Sequence, residues 1–290
     1  MRCNICPRKC DVDRSKSRGL CGMPEEFLLA RAAKHFWEEP PVSGTRGSGT
    51  VFFSGCNLGC VYCQNYEISH EGKGKAVTDE RLKEIFTELT ESGVHNINLV
   101  NPTHYAMRLR RVMSEYSCPV PVVYNSSGYE RVSTLKGAGE YVDVYLPDLK
   151  YITADRAGKY SNAPDYFEYA SKALIEMKNQ QPENIYDEEG IILKGLIVRH
   201  LILPKNTNRS IEILSWIKNN LGEDTTVSLM SQYTPYGDIE NYGELQRRIT
   251  RREYEKVLTA AENMGFCNLF VQDPDSSEEK FIPEFDFRGL

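Results

Sequence analysis

From residue 50 onward, short apolar β-branched runs alternate with segments that carry apolar residues on one helical face. Thr50–Gly55, Asn96–Val100, Val120–Tyr124, Val142–Leu146, Ile191–Leu203 and Thr225–Met230 read as strands, with Asn268–Val271 a final short one. Between them, helices are predicted near 79–92, 104–116, 129–136, 164–179, 210–220 and 251–264. In the first of these Thr78 or Asp79 caps the helix, Leu82, Ile85, Phe86 and Leu89 share a face, and Gly93 closes it. Six strand-then-helix repeats predict an α/β fold with a parallel sheet. In barrels built this way, functional groups gather at the carboxyl ends of the strands.

The first strand runs directly into Gly55-Cys56-Asn57-Leu58-Gly59-Cys60-Val61-Tyr62-Cys63. Three thiolates in one loop can hold three corners of a four-iron cubane, leaving one iron open to chemistry. A structural zinc loop is the plainer alternative. Zinc normally takes four ligands, and no His stands close behind these three cysteines.

This C-x3-C-x2-C spacing, with Tyr62 just before the last Cys, resembles the signature of radical S-adenosylmethionine (SAM) enzymes. The resemblance implies a [4Fe–4S] cluster on Cys56, Cys60 and Cys63 whose open iron chelates SAM. It further implies reductive cleavage of SAM to a 5′-deoxyadenosyl radical that abstracts hydrogen from a substrate. The implied fold is a partial (β/α)6 TIM-type barrel, with a small N-terminal Cys-rich metal-binding segment here.

That segment carries Cys3, Cys6, Cys10 and Cys21 at C-x2-C-x3-C-x10-C spacing. Four such thiols can close a zinc site or hold a second Fe–S cluster, and either would let a core-poor segment fold. Residues 1–48 are therefore read as this segment and a linker, 49–273 as the barrel, and 274–290 as an acidic tail. The glycines of 44–49 precede a strand instead of following one, which argues against a phosphate cradle. Glu38 and Glu39, adjacent acids before Pro40-Pro41, could contact substrate, though such acids are more often solvated, and they are read so here.

The strand ends supply the remaining candidates. Strand two ends in Asn101-Pro102-Thr103-His104, where pyruvate formate-lyase activating enzymes usually carry a Gly-Gly-Glu run. SAM amino-group recognition is then left to Asn101, Thr103 or His104, unless this stretch simply turns the chain and caps a helix. Asn125-Ser126-Ser127-Gly128 resembles the Asn-Gly turn of those enzymes, and Asp148-Leu149-Lys150 resembles their Asp-Leu-Lys motif. The likeness implies Asp148 on the ribose hydroxyls, Lys150 toward the methionyl end, and Arg199 on the SAM carboxylate. Tyr62 and Asn125 complete the implied cofactor-binding set. Alternation puts Arg199 and Leu201 on one side of their strand and His200 on the other. Tyr233 and Tyr236 stand near the place of a His in those enzymes, and Cys118 and Cys267 read as buried thiols.

Taken together, Cys3, Cys6-Pro7-Arg8, Cys10, Glu38-Glu39-Pro40-Pro41, Gly47-Ser48-Gly49-Thr50, Cys63-Gln64-Asn65 and Arg199-His200-Leu201-Ile202-Leu203-Pro204 resemble the PflX-type branch of these activating-enzyme-like proteins. The resemblance implies an oxidoreductase whose substrate is a protein glycine, as in glycyl-radical-enzyme activases, or another peptide or small molecule. An electron donor such as flavodoxin or ferredoxin is the implied partner. A non-catalytic Fe–S or zinc protein is the third reading.

Bulk properties agree with a cytoplasmic protein. No stretch is apolar enough to span a bilayer, and the charged start lacks a signal-peptide core. Nine cysteines clustered toward the start favour metal ligation in a reducing compartment over disulfides. The net charge of −6 speaks against a nucleic-acid partner, and Arg247, Arg248, Arg251 and Arg252 read as a solvated helix face.

Overall fold

The computed structural model describes residues 2–272 and 283–290. In chain order its elements are β1 (Phe27–His35), α1 (Pro40–Ser43), β2 (Ser48–Phe53), α2 (Tyr66–Ser69), β3 (Lys75–Val77), α3 (Asp79–Glu91), β4 (Ile97–Val100) and α4 (Ala106–Ser114). There follow β5 (Val122–Ser126), α5 (Val132–Ala138), β6 (Val144–Pro147), α6 (Ala154–Ser161), α7 (Tyr166–Gln180), β7 (Ile185–Tyr186) and β8 (Ile192–Leu201). The chain continues through α8 (Ser210–Leu221), β9 (Thr226–Met230), α9 (Arg251–Asn263) and β10 (Leu269–Val271).

One sheet runs β10-β9-β8-β6-β5-β4-β2-β1-β3, with β7 on β8. Along that path the pairs from β2 to β10 are parallel, β1 lies antiparallel between β2 and β3, and the added β7 is antiparallel to β8. Six strands, β2, β4, β5, β6, β8 and β9, are each followed by helix, and the strand path keeps two ends. The α/β fold with a partial (β/α)6 barrel is therefore the observed architecture. Parallel strands covered on both faces need apolar residues throughout, and β2, β4, β5 and β6 are buried at every position.

Helix α3 forms as its sequence requires. Thr78 accepts from the Arg81 amide at 3.1 Å, Asp79 and Glu80 occupy the first turn, and Leu82, Ile85, Phe86 and Leu89 are buried. Full burial of each such side chain is worth about 1.5–3 kcal/mol. The polar run expected as one helix at 164–179 follows a separate α6, which ends at Asn162 in the left-handed conformation that Asn tolerates.

Three features were not anticipated. β1, in the part of the chain read as the amino-terminal segment, pairs along the length of β2 from Leu29↔Phe53 to His35↔Ser48. The short β7 occupies the loop expected at 181–190. Of the segment read as an acidic tail, 274–282 lie outside the described residues, while 283–290 return to β1. There Phe287 donates to the Ala30 carbonyl, Ala32 donates to the Arg288 carbonyl, and Phe285 stacks edge-on against Phe52.

Candidate active site

The cysteine loop leaves β2 through Gly55, whose φ of +80° favours glycine. A Cβ there would lie 2.2 Å from Met23 Cγ and 2.5 Å from the Cys21 carbonyl oxygen. The amino-terminal cysteine segment thus packs directly on the start of the loop. Arg8 braces it further, donating to the carbonyls of Asn57 at 2.8 Å, Leu58 at 3.0 Å, Ser161 at 3.0 Å and Asn162 at 2.5 Å.

Beside the loop, at the carboxyl ends of the strands, lies a cavity of about 540 Å³. Cys56, Cys60, Tyr62, Cys63, Asn101, Asn125, Asp148, Lys150 and Arg199 all line it. Thr103 and His104, expected among the cofactor-binding residues, do not line it. The Thr103 hydroxyl donates to buried Glu130 at 2.5 Å, and His104 Nε2 donates to the Ser54 carbonyl at 2.8 Å. Burial, with Arg14 nearby, lowers the His104 pKa to about 3, so the ring is neutral and serves to hold the end of β2. Arg199 and Leu201 line the cavity as alternation requires. His200 points elsewhere and donates from Nδ1 to the Leu149 carbonyl at 2.7 Å.

Backbone pairing explains the central ion cluster. Asp148 and Arg199 are bridged in parallel just beyond β6, with the Leu149 amide donating to the Arg199 carbonyl at 2.9 Å. Neighbours in a parallel register place their side chains on one face. Arg199 Nε lies 3.1 Å from Asp148 Oδ1, its Nη1 lies 3.1 Å from Glu38 Oε2, and its Nη2 donates to Asn125 Oδ1. Lys150 Nζ sits 2.6 Å from Asp148 Oδ2. Burial alone would raise the Asp148 pKa, but the charges of Lys150 and Arg199 outweigh it and hold the carboxyl ionised. Gly128 permits the approach of the β5 turn. Its φ is +72°, and a Cβ would stand 2.4 Å from the Asp148 carbonyl oxygen.

Glu38 and Glu39, read from the sequence as solvated, both line this cavity, Glu39 buried and the Glu38 side chain 10% exposed. Between β1 and α1 the chain turns inward, and Pro40 starts the short helix. Glu38 also accepts from Asn98 at 3.0 Å, and burial raises the pKa of both acids. The signal available in the sequence was the apolar Phe36-Trp37 and Pro40-Pro41 on either side of the acids. Tyr233 is buried, packs on Tyr62 and donates to the Leu245 carbonyl at 2.6 Å. One smaller expectation changes: Cys267, read as buried, is exposed in the turn before β10.

The donor chemistry of the loop suits a [4Fe–4S] cluster. Burial pushes the Cys63 thiol up to about 12 and the Cys60 thiol upward, with the neighbouring loop cysteines adding to both shifts. Cys60 and Cys63 thus become thiolates readily only with metal. Donors already point at two of the three loop sulfurs: the Leu58 amide to Cys56 Sγ at 3.3 Å, and the Ser161 hydroxyl to Cys60 Sγ at 3.1 Å. The Tyr151 hydroxyl lies 2.8 Å from Ser161 Oγ and 2.7 Å from the Tyr62 hydroxyl.

All nine cysteines are free thiols. In the amino-terminal segment, Cys10 Sγ and Cys21 Sγ both lie 3.5 Å from the Cβ position of Gly19, and Cys21 feels the charge of Cys3 and Cys10. Among the described residues, no group of three or more His, Cys, Asp or Glu side chains is already gathered to hold a metal ion. A cubane spreads its ligands over separate irons, so its thiolates need not converge on one point.

A family model described as the radical SAM superfamily matches residues 50–183. The uncharacterized protein MJ0674 of Methanocaldococcus jannaschii is 31% identical over 280 residues, covering 92% of this chain and 76% of that one. Among solved structures, HydG, a maturase of the [FeFe]-hydrogenase, matches with a TM-score of 0.51 at 12% identity, over 80% of this chain and 53% of that one. SuiB of Streptococcus suis matches with a TM-score of 0.49 at 17% identity, over 75% of this chain and 47% of that one. The chain spans about half the length of these two structures, and the likeness to HydG is one of fold. Over residues 50–183 the chain therefore matches the radical SAM superfamily, and over most of its length it is a relative of MJ0674. Among the described residues no helix is long and apolar enough to cross a membrane.

Proposed function

We propose that this protein is a radical SAM oxidoreductase whose cavity binds SAM against a [4Fe–4S] cluster held by Cys56, Cys60 and Cys63. One observation carries the reading: the three-cysteine loop, Asp148, Lys150 and Arg199 line a single cavity at the carboxyl ends of the strands. When bound, the cluster and SAM supply a one-electron cleavage that generates a 5′-deoxyadenosyl radical for hydrogen abstraction.

The chain's own residues then bind and orient. Ionised Asp148 is an acceptor suited to a ribose diol, and Lys150 is a point charge suited to a carboxylate. Arg199 fixes Asp148, Glu38 and Asn125 in register, which keeps β5, β6 and the β1–α1 turn at one spacing. Tyr62, Tyr151 and Ser161 form a buried hydroxyl series that ends on Cys60 and excludes water from it.

The activating-enzyme-like role belongs to the same proposal. It is supported by the Asp148-Leu149-Lys150 and Arg199-to-Pro204 segments, with a protein or peptide as substrate and flavodoxin or ferredoxin as electron donor. Cys3, Cys6, Cys10 and Cys21 are proposed to hold zinc or a second cluster, supported by Cys10 and Cys21 meeting beside Gly19 and by the electrostatic influence of Cys3 on Cys21 and of Cys10 and Cys21 on Cys6. Counting iron, sulfide and zinc per chain after anaerobic reconstitution tests this. Four irons lost in Cys60→Ala, with the remaining metal retained, is the expected result; unchanged iron in that variant would overturn the loop assignment.

A further inference from the structure

Among its described lining residues the cavity gathers three acids and two bases. Glu38, Glu39 and Asp148 line it together with Lys150 and Arg199, and no other Lys or Arg is among its described lining residues. His35 also lines it, but burial and the nearby Arg31 lower its pKa to about 4, so it brings no charge near neutral pH. Arg199 and Lys150 are already committed to Asp148 and Glu38. Glu39 is the third acid, and burial raises its pKa against the charge of Arg199, so a further cation beside it would favour its ionised form. It is 8% exposed, and its Oε2 has no hydrogen-bond partner. An unpartnered buried carboxylate oxygen costs stability unless something arrives to satisfy it.

The approach to Glu39 is apolar. Phe36 and Trp37, immediately before the acids, line the mouth at 49% and 55% exposure, and Phe52, Leu201 and Met230 line the wall. We propose that Glu39, supported by Glu38, is a subsite for a substrate that carries an alkylammonium group on an apolar stem. A neutral hydroxyl could only bond Oε2, whereas an ammonium ion would bond it and also bring the opposite charge that holds the buried acid ionised. This inference rests on the reading of the cavity as the place where substrate meets SAM, and it deepens that reading by naming a substrate class.

The test uses the reconstituted protein with SAM bound, titrated with n-butylammonium and, separately, with its neutral isostere n-butanol, following the thermal unfolding midpoint. n-Butylammonium is expected to raise the midpoint in a saturable way and n-butanol to leave it in place. Glu39→Gln should abolish the response, and Glu39→Asp, which keeps the charge, should retain part of it. Equal responses to the two probes, or a full response in Glu39→Gln, would overturn the proposal. So would a response seen only without SAM, which would assign the anionic pocket to SAM itself. Should Glu39→Gln fail to fold, the wild-type comparison of the two probes still decides. 5′-Deoxyadenosine formation by the same preparation, measured without amine, reports separately on the radical SAM reading.

Discussion

Ser161, the last residue of α6, donates its hydroxyl to Cys60 Sγ at 3.1 Å across 101 residues of chain. A hydrogen bond to a cluster thiolate favours the more negative, reduced state. Ser161→Ala should therefore keep its iron but show a lower cluster reduction potential in an EPR-monitored redox titration. An unchanged potential would mean that this hydroxyl does not reach the ligating sulfur.

Arg8 ties the amino-terminal segment to the cluster loop through four carbonyls. Lysine offers a point charge in place of a planar fork and cannot serve all four. Arg8→Lys is expected to lower the unfolding midpoint of the reconstituted protein and to speed iron release to a chelator. Release at the wild-type rate would separate the segment from the stability of the loop.

Glu130 is buried, and desolvation lifts its carboxyl from 4.5 to about 8, against the opposing hydrogen bonds of Thr103, Ser126 and Tyr124. The folded chain therefore holds this proton between pH 4.5 and about 8, where the unfolded chain has released it. Its contribution to stability falls as pH rises through that window and is flat above it. Glu130→Gln should remove this dependence, so that the variant's stability relative to wild type rises with pH up to about 8. Paired urea melts at several pH values check it; a constant difference would contradict it.

Asp148 joins two cations. Asp148→Asn leaves Lys150 without its carboxylate and Arg199 with Glu38 and the Asn125 amide oxygen. Breaking a buried pair typically costs about 3–5 kcal/mol, and the remaining Glu38 contact should place this variant toward the low end. The variant should retain its cluster yet bind SAM more weakly in equilibrium titration, whereas Cys60→Ala should lose both. Wild-type SAM affinity in Asp148→Asn would remove Asp148 from the binding set.

The barrel was legible because periodicity and cap residues are local signals: Thr78 and the apolar face of α3 stand where the sequence puts them. The cluster loop and the strand-end residues Asp148, Lys150 and Arg199 were legible because the fold brings strand ends together whatever the loops do. β1 was missed because its Arg31, Lys34 and His35 interrupt the apolar pattern, and its pairing with β2 is a matter of tertiary register. Glu38 and Glu39 were missed for the same reason. Two acids before two prolines look solvated until Arg199, 161 residues beyond Glu38, supplies the opposite charge. His104 shows the converse, since a polar residue at a strand end can as well brace the neighbouring backbone as face the cavity.

The central claim is tested most directly by anaerobic reconstitution with iron and sulfide, addition of dithionite and SAM, and quantification of 5′-deoxyadenosine. The account predicts its formation by the wild-type protein and its absence in Cys60→Ala. A full, reducible cluster that binds SAM and yet releases no 5′-deoxyadenosine would contradict it.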